Sequence, residues 1–301
     1  MNDNITRLDG LLRISLLGGQ ARAFLADTTR TVETARSIHG LSRVATAALG
    51  RLLTGASIMG AMLKSDRDSV TLQVKGGGPI GALLAVAQPD ASVKGYAAHP
   101  HIDIDRSAGG KLDVGAAVGC DGELAVIKDQ GMHEPYIGRV ALVSGEIGED
   151  LAMYFTASEQ TPSLVSLGVL TGDAVVAAGG LVIQPMPGID STALHSIEYS
   201  APMFANISAA IRDDGLNGSL YQLLSHLEPE VIGTQFPAYR CDCSRERMER
   251  ALISLGAPEI YGMIRERHGA ELCCHFCGKG HYFTETQLMA LAEEAGGNGE
   301  E

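Results

Sequence analysis

Arg240-Cys241-Asp242-Cys243-Ser244 and, after the segment 245–273, Cys274-His275-Phe276-Cys277 are the stretches from which the rest of the chain can be read. A thiolate is a soft, charged ligand. Two close pairs separated by a segment long enough to fold back can close a tetrahedral sulfur cage around one zinc ion. An ordinary zinc ribbon uses two Cys-x-x-Cys pairs, whereas here one pair is a tighter Cys-x-Cys. Residues i and i+2 of an extended segment point to one side about 6.5 Å apart, near the upper edge of disulfide reach. Cys241 and Cys243 can therefore bond to each other under strain, and a strained, accessible disulfide is a reversible one. The same four sulfurs can hold zinc when reduced or pair locally when oxidised.

Around this cluster, length and charge set the frame. The 301 residues suggest about two domains. The formal charge of −13, from 23 basic and 36 acidic side chains, argues against bulk binding to nucleic acid or an anionic membrane. Met1-Asn2-Asp3-Asn4 opens without a basic and then apolar leader, and no apolar run approaches the roughly 18 residues of a membrane span. A cytoplasmic location is the expectation, and in that reducing setting six cysteines with four clustered point to metal or redox chemistry.

Residues 1–40 alternate apolar and polar stretches without a chemical motif. From Ser42 to Lys64, Val44, Ala48, Leu52, Ala56, Met59 and Leu63 recur at helical spacing with Ser42 placed to cap, and the small residues suggest a helix packed closely on a sheet. Val70, Leu72 and Val74 then alternate with polar partners as a half-buried strand, and Lys75 to Gly81 reads as a hairpin turn leading into the strand Ala82 to Val86. Further strands are expected at Val93–Ala97, Leu124–Lys128, Ile137–Val143 and Ala178–Pro187, with a helix over Glu146–Gln160. The links are too short for repeated crossover helices, so 1–187 is expected to be one α+β domain, its sheet mixed but mainly antiparallel and packed with helices. Ser158, Glu159 and His133 lack a nucleophile elbow and read as structural, and no catalytic residue is expected.

Residues 188–236 change character: helical stretches around Ile197–Arg212 and Ser219–Leu227 are interrupted by Asp213-Asp-Gly-Leu-Asn-Gly218 and Glu228-Pro-Glu230. Their apolar side chains Met203, Phe204, Ile207, Ile211, Leu220, Leu223 and Leu224 need something to pack on, because short interrupted helices are marginal alone. A metastable helical linker docked on the first domain is expected here, followed by a small zinc module over 237–285 and an acidic tail over 286–301.

Phe236-Pro-Ala-Tyr-Arg-Cys-Asp-Cys-Ser-Arg-Glu-Arg247, with Cys274-His-Phe-Cys-Gly278 and Tyr282-Phe283, resembles the redox switch of the bacterial redox-regulated heat-shock chaperones, the thirty-three-kilodalton heat-shock holdases. Leu49-Gly-Arg51, Gly78-Pro-Ile-Gly81, Gly95-Tyr96, Ser158-Glu-Gln160 and Ala178-Gly-Gly180 follow in the family's order, so the resemblance spans nearly the whole chain. It implies an ATP-independent chaperone without enzymatic activity, inactive when reduced with one zinc on Cys241, Cys243, Cys274 and Cys277. Activation by hypochlorite, or by peroxide with heat, would involve zinc loss, two disulfides, linker unfolding and dimerisation. Cys241–Cys243 and Cys274–Cys277 are the expected disulfides, and unfolded or partly folded proteins the expected clients. The linker's apolar residues named above are the candidate client-binding surface.

One residue departs from the family's pattern. Cys273 beside Cys274 can compete as a ligand, although neighbours in an extended segment project to opposite faces, which argues against it. Cys120, in a turn between Gly119 and Asp121, has no evident partner, and His275 and His281 are spare donors once four thiolates complete a shell. Arg245, Arg247 and Arg250 are placed to raise thiolate character at the first pair. A zinc-ribbon nucleic-acid binder is the first competing reading, weakened by a net of −1 over 241–285, from six basic and seven acidic side chains. A thiol-disulfide oxidoreductase is the second, and it would need Cys-x-x-Cys at a helix start in a βαβ unit.

Overall fold

The computed structural model of the chain describes residues 8–104 and 111–297, which fall into two units, one ending at Arg240 and one beginning at Cys241. The opening Met1 to Asn4 lies outside the described residues.

The first unit runs β1 (Gly10–Leu16), β2 (Ala21–Asp27), α1 (Thr29–His39), α2 (Arg43–Ala61), β3 (Ser69–Lys75), β4 (Ala82–Ala87), β5 (Ser92–Ala97), α3 (Val114–Val118), β6 (Glu123–Asp129), β7 (Tyr136–Ala141), α4 (Gly148–Ala157), β8 (Leu164–Thr171), β9 (Val175–Pro185), α5 (Ser191–Ser200), α6 (Ile207–Leu224), β10 (Glu230–Gln235) and β11 (Ala238–Tyr239). Two sheets result, in the orders β10-β1-β2-β9-β8 and β11-β5-β4-β3-β6-β7. Every pairing in them is antiparallel except β11 on β5. This is the α+β class expected from the sequence.

α2 lies between the two sheets and is buried almost throughout. Ser42 caps it, its hydroxyl accepting from Ala45 N–H. A helix between two sheets must be thin: a Cβ on Gly55 would come within 2.6 Å of Leu151 Cδ1, and one on Gly60 within 2.5 Å of Gln88 O. Its core partners include Leu72, Val74, Leu83 and Val126 from the six-stranded sheet and Phe24 and Val182 from the five-stranded one. α2 is long and apolar enough to cross a membrane, contrary to the sequence estimate, but 94% of that stretch is buried inside the protein, as befits a core helix.

The outer face of the five-stranded sheet carries a second core. Leu12, Ile14, Leu16, Ala23, Leu25, Leu181 and Ile183 of the sheet pack there with Ile197, Phe204, Ile207, Ile211, Leu220, Leu223, Leu224 and Leu227. The expected interruption within 213–218 is a kink at Gly215, where φ is +69°. Two expectations for the linker segment need correction. Met203 does not join this core: it sits in a 3-10 turn, Ala201–Phe204, that turns Phe204 inward and leaves Met203 50% exposed. Residues 230–235 are not helical either, but form β10 on the edge of the sheet beside β1.

The second unit consists of α7 (Arg245–Leu255), α8 (Ala257–Arg267), β12 (Gly269–Cys273), β13 (Gly280–Thr284) and α9 (Glu285–Gly297), with β12 and β13 as an antiparallel hairpin. Its core is small: Leu252, Ile260, Ile264, Phe283, Leu288 and Ala292. The acidic tail expected over 286–301 is, as far as Gly297, the helix α9. Leu288 and Ala292, four residues apart on one face, are buried against α7 and α8, so this segment is part of the module.

Candidate metal centre

Each cysteine pair is held by a local device that the sequence encodes. Ser244 caps α7, its hydroxyl accepting from Arg247 N–H at 3.3 Å, so the helix starts just after Cys243 and leaves Cys241-Asp242-Cys243 as irregular chain. The second pair sits in the turn joining β12 to β13. Gly278 adopts φ +70°, its N–H donates to Cys274 O at 2.8 Å, and Cys274 N–H donates to Lys279 O at 3.0 Å. A residue with a Cβ would strain that left-handed position.

Together the pairs bring four sulfurs to one point. Cys241 Sγ lies 3.7 Å from Cys274 Sγ, Cys243 Sγ lies 3.4 Å from Cys277 Sγ, and all four are within 4.8 Å of one another. A tetrahedral zinc site with bonds of about 2.3 Å has sulfur–sulfur edges of about 3.8 Å, so the donor set and its spacing fit the ion.

Ionisation of the thiols makes the same point. Burial pushes Cys243 up to about 12, and its contacts with Cys277, Cys241 and Cys274 add to this. Burial, opposed by donation from the Cys243 backbone, also raises Cys241. At Cys274 burial acts upward too, but the N–H groups of Phe276 and Cys277 and the thiols of Cys241 and Cys277 outweigh it and lower the value. The hydrogen bonds of the cage thus favour a thiolate at Cys274 and disfavour one at Cys241 and Cys243. A dication lets four thiolates share the space.

Two of the three arginines expected to activate the first pair, Arg245 and Arg247, are engaged by other groups. Arg245 donates to Glu249, to Tyr282 O at 3.1 Å and to Gln287 Oε1 at 2.9 Å, and its guanidinium lies 4.3 Å from the centre of the Phe283 ring. It fastens the start of α7 to β13 and α9. Arg247 pairs with Asp242, between the two cysteines. Cys273, exposed at the end of β12, is outside the sulfur group, as are exposed His275 and buried His281. Cys120 is an exposed thiol of the other unit. Ser158 hydrogen-bonds Tyr136 Oη, Glu159 pairs with Lys128, and His133 is exposed in the loop before β7. The roles of Arg245 and α9 were not anticipated. The apolar spacing of Leu288, Leu291, Ala292 and Ala295 is a signal that would have found the helix, whereas nothing in the sequence singles out Arg245 among its neighbours.

Comparison with known proteins decides the family. The family described as Hsp33 protein matches residues 9–284. The chain belongs to the Hsp33 family. Among its relatives in that family, the 33 kDa chaperonin of Alkaliphilus metalliredigens (strain QYMF) is 44% identical over 288 residues, 94% of this chain and 98% of that one. The 33 kDa chaperonin of Acetivibrio thermocellus is also 44% identical over 288 residues, covering 95% and 97%. The crystal structure of the Hsp33 homologue from Thermotoga maritima superposes with a TM-score of 0.85 at 33% identity, over 96% of this chain and 98% of that one.

Proposed function

We infer that the protein is an ATP-independent holdase of the cytoplasm, switched on by oxidation of the four clustered cysteines, and that it is a binding protein and not an enzyme. The observation that carries this is the sulfur cage at the base of a module with very little core. Six buried apolar residues are too few to hold some 55 residues folded against chain entropy, and a structural zinc on four thiolates contributes on the order of 10 kcal/mol. Cys241, Cys243, Cys274 and Cys277 would each give the ion one thiolate.

Oxidation removes those donors. Joining Cys241 to Cys243 and Cys274 to Cys277 takes four electrons from the chain, passed to two equivalents of a two-electron oxidant such as hypochlorite or peroxide. Each half of the cage is then tied to itself and no longer to the other half, so the module loses its cross-link and unfolds. Residues 188–240 are continuous with it: β11 ends one residue before Arg240. Opening of the module then spreads back along the chain into the segment that precedes it, by local unfolding that costs less than global unfolding, and loosens β11, β10, α6 and α5.

Undocking uncovers two apolar surfaces, the sheet face of Leu12, Ile14, Leu16 and Leu25 and the linker face of Phe204, Ile207, Ile211, Leu220, Leu223 and Leu224. Exposed patches of that kind bind unfolded or partly folded proteins, and they also favour pairing of two activated copies into a dimer. The oxidoreductase reading loses its structural support, because Cys274 to Cys277 occupy a β-hairpin turn and not a helix start.

The test is zinc content together with light scattering of an aggregating client before and after oxidation. The reduced chain is expected to hold one zinc and leave aggregation unchanged, and the oxidised chain to hold none and suppress it near equimolar ratio. Equal suppression by both forms contradicts the switch. Catalytic thiol exchange at substoichiometric amounts would return the protein to the oxidoreductase class.

A further inference from the structure

β10 holds its place on the five-stranded sheet almost entirely through its backbone. It pairs with β1 as Leu11↔Gln235, Leu12↔Thr234, Arg13↔Gly233, Ile14↔Val231 and Ser15↔Glu230, with an irregularity that leaves Ile232 unmatched. None of its side chains is buried, and Val231 and Ile232 are 44% and 62% exposed. β1 is the opposite case: Leu11, Leu12, Ile14 and Leu16 are buried, and Arg13 is its one exposed residue. Leu12, Ile14 and Leu16 share the face that α5 and α6 cover. The inner partner of β1 is β2, paired along its whole length from Gly10↔Asp27 to Leu16↔Ala21.

Removing β10 therefore leaves a strand that stays fixed along one edge and has a free row of N–H and C=O groups along the other, with apolar side chains at alternate positions on the uncovered face. An edge without a lysine, proline or second bulge to blunt it is a template for strand addition. We propose that the edge of β1 vacated by β10 takes up an extended segment of the unfolded client as a replacement strand. This rests on the holdase reading above, in which the linker leaves with the module. The occupant is identified by the way β10 itself is seated. Apart from Gln235, whose Nε2 donates to Pro89 O at 2.6 Å, the strand is seated by its main chain with Glu230, Val231, Ile232 and Thr234 exposed, and such a seat accepts an extended polypeptide of varied sequence. Such a site suits clients that share no sequence. Its preference is for segments of about six residues without proline, with apolar side chains at alternate positions to lie beside Leu12 and Ile14.

Hydrogen exchange on the full-length chain tests this in three states: reduced, oxidised, and oxidised with reduced, carboxymethylated α-lactalbumin as client. The expected pattern is loss of protection in 230–235 and in the outward amides of 10–16 on oxidation. Client should then restore protection at least tenfold in 10–16 while 230–235 stays open. If 230–235 remains protected after oxidation, the linker-release reading fails and this inference with it. If 230–235 opens but client leaves 10–16 unprotected, the inference alone is overturned. Protection of 10–16 that returns without client and rises with protein concentration would show a second copy in the slot, and would also overturn it.

A competition experiment reads the same slot independently. A peptide of residues 229–236 should displace client from the oxidised chain. N-methylation of the alternate amides that face β1 should weaken it by roughly tenfold for each hydrogen bond lost, and methylation of the other alternate set should leave it nearly unchanged. Equal competition by both methylated forms would overturn backbone recognition.

Discussion

The two units differ in what keeps them folded. The first wraps two sheets around α2, with dozens of buried apolar residues and a second core under α5 and α6, whereas the second has a core of six buried apolar residues and four sulfurs meeting at one point. The first owes its stability to packing, which no oxidant alters directly. In the proposed reading the second owes it to metal-held thiolates, which an oxidant would alter at once. A molecule divided in this way can change one part by redox chemistry while the other remains a platform.

The largest effect expected from this contrast is at the cage. Cys274→Ser removes the most buried of the four donors and should abolish tight zinc binding, withdrawing a contribution on the order of 10 kcal/mol. Zinc stoichiometry near zero, with loss of helix signal from 245–297 alone, is the expected result. One tightly held zinc in this variant would mean another donor completes the shell.

Equal deletions in the two units should have unequal consequences. Leu52→Ala and Leu288→Ala each empty a fully buried site at a cost of about 2–5 kcal/mol. The first should lower the thermal midpoint and leave the chain folded, but the second should leave the module unfolded at zinc concentrations that saturate the parent. Equal zinc affinity for Leu288→Ala and the parent would place α9 outside the module's stability.

A smaller effect is expected for Arg245→Ala. It loses the stacking on Phe283 and the hydrogen bonds to Tyr282 O and Gln287, together about 1–2 kcal/mol. Transfer of zinc to a competing chelator should be several-fold faster than in the parent. The smallest effect is at Cys273, exposed and outside the sulfur group: Cys273→Ser should match the parent in zinc content and rate of oxidative activation.

Elements whose pattern is set locally were legible in the sequence. α2 shows its helical spacing and its Ser42 cap, β3 buries the alternating Val70, Leu72 and Val74, and the cysteine spacing marks the cage. β1 and β2 were not read as strands. β2 is apolar on both faces over Ala23–Ala26, so its period does not tell it from a piece of buried helix, whereas β1 carries only one short alternation, Leu12, Ile14 and Leu16 against Arg13 and Ser15, too brief to mark a strand by itself. β10 fails for the opposite reason. Neither of its faces is buried, and its place comes from β1, far away in the sequence. The acidic residues of 286–297 masked the apolar stripe that seats α9, and Arg245 acquires its role only from the approach of β13 and α9.

Limited proteolysis of the reduced and oxidised full-length chain is the most direct test that one part stands on its own packing and the rest on the cage. The reduced, zinc-loaded protein should resist cleavage throughout. In the oxidised protein cuts should appear from about residue 190 onward, leaving an N-terminal fragment of roughly 1–187 intact. Cleavage spread evenly along the oxidised chain, or confined to 241–297 with α5, α6 and β10 still resistant, would contradict the account.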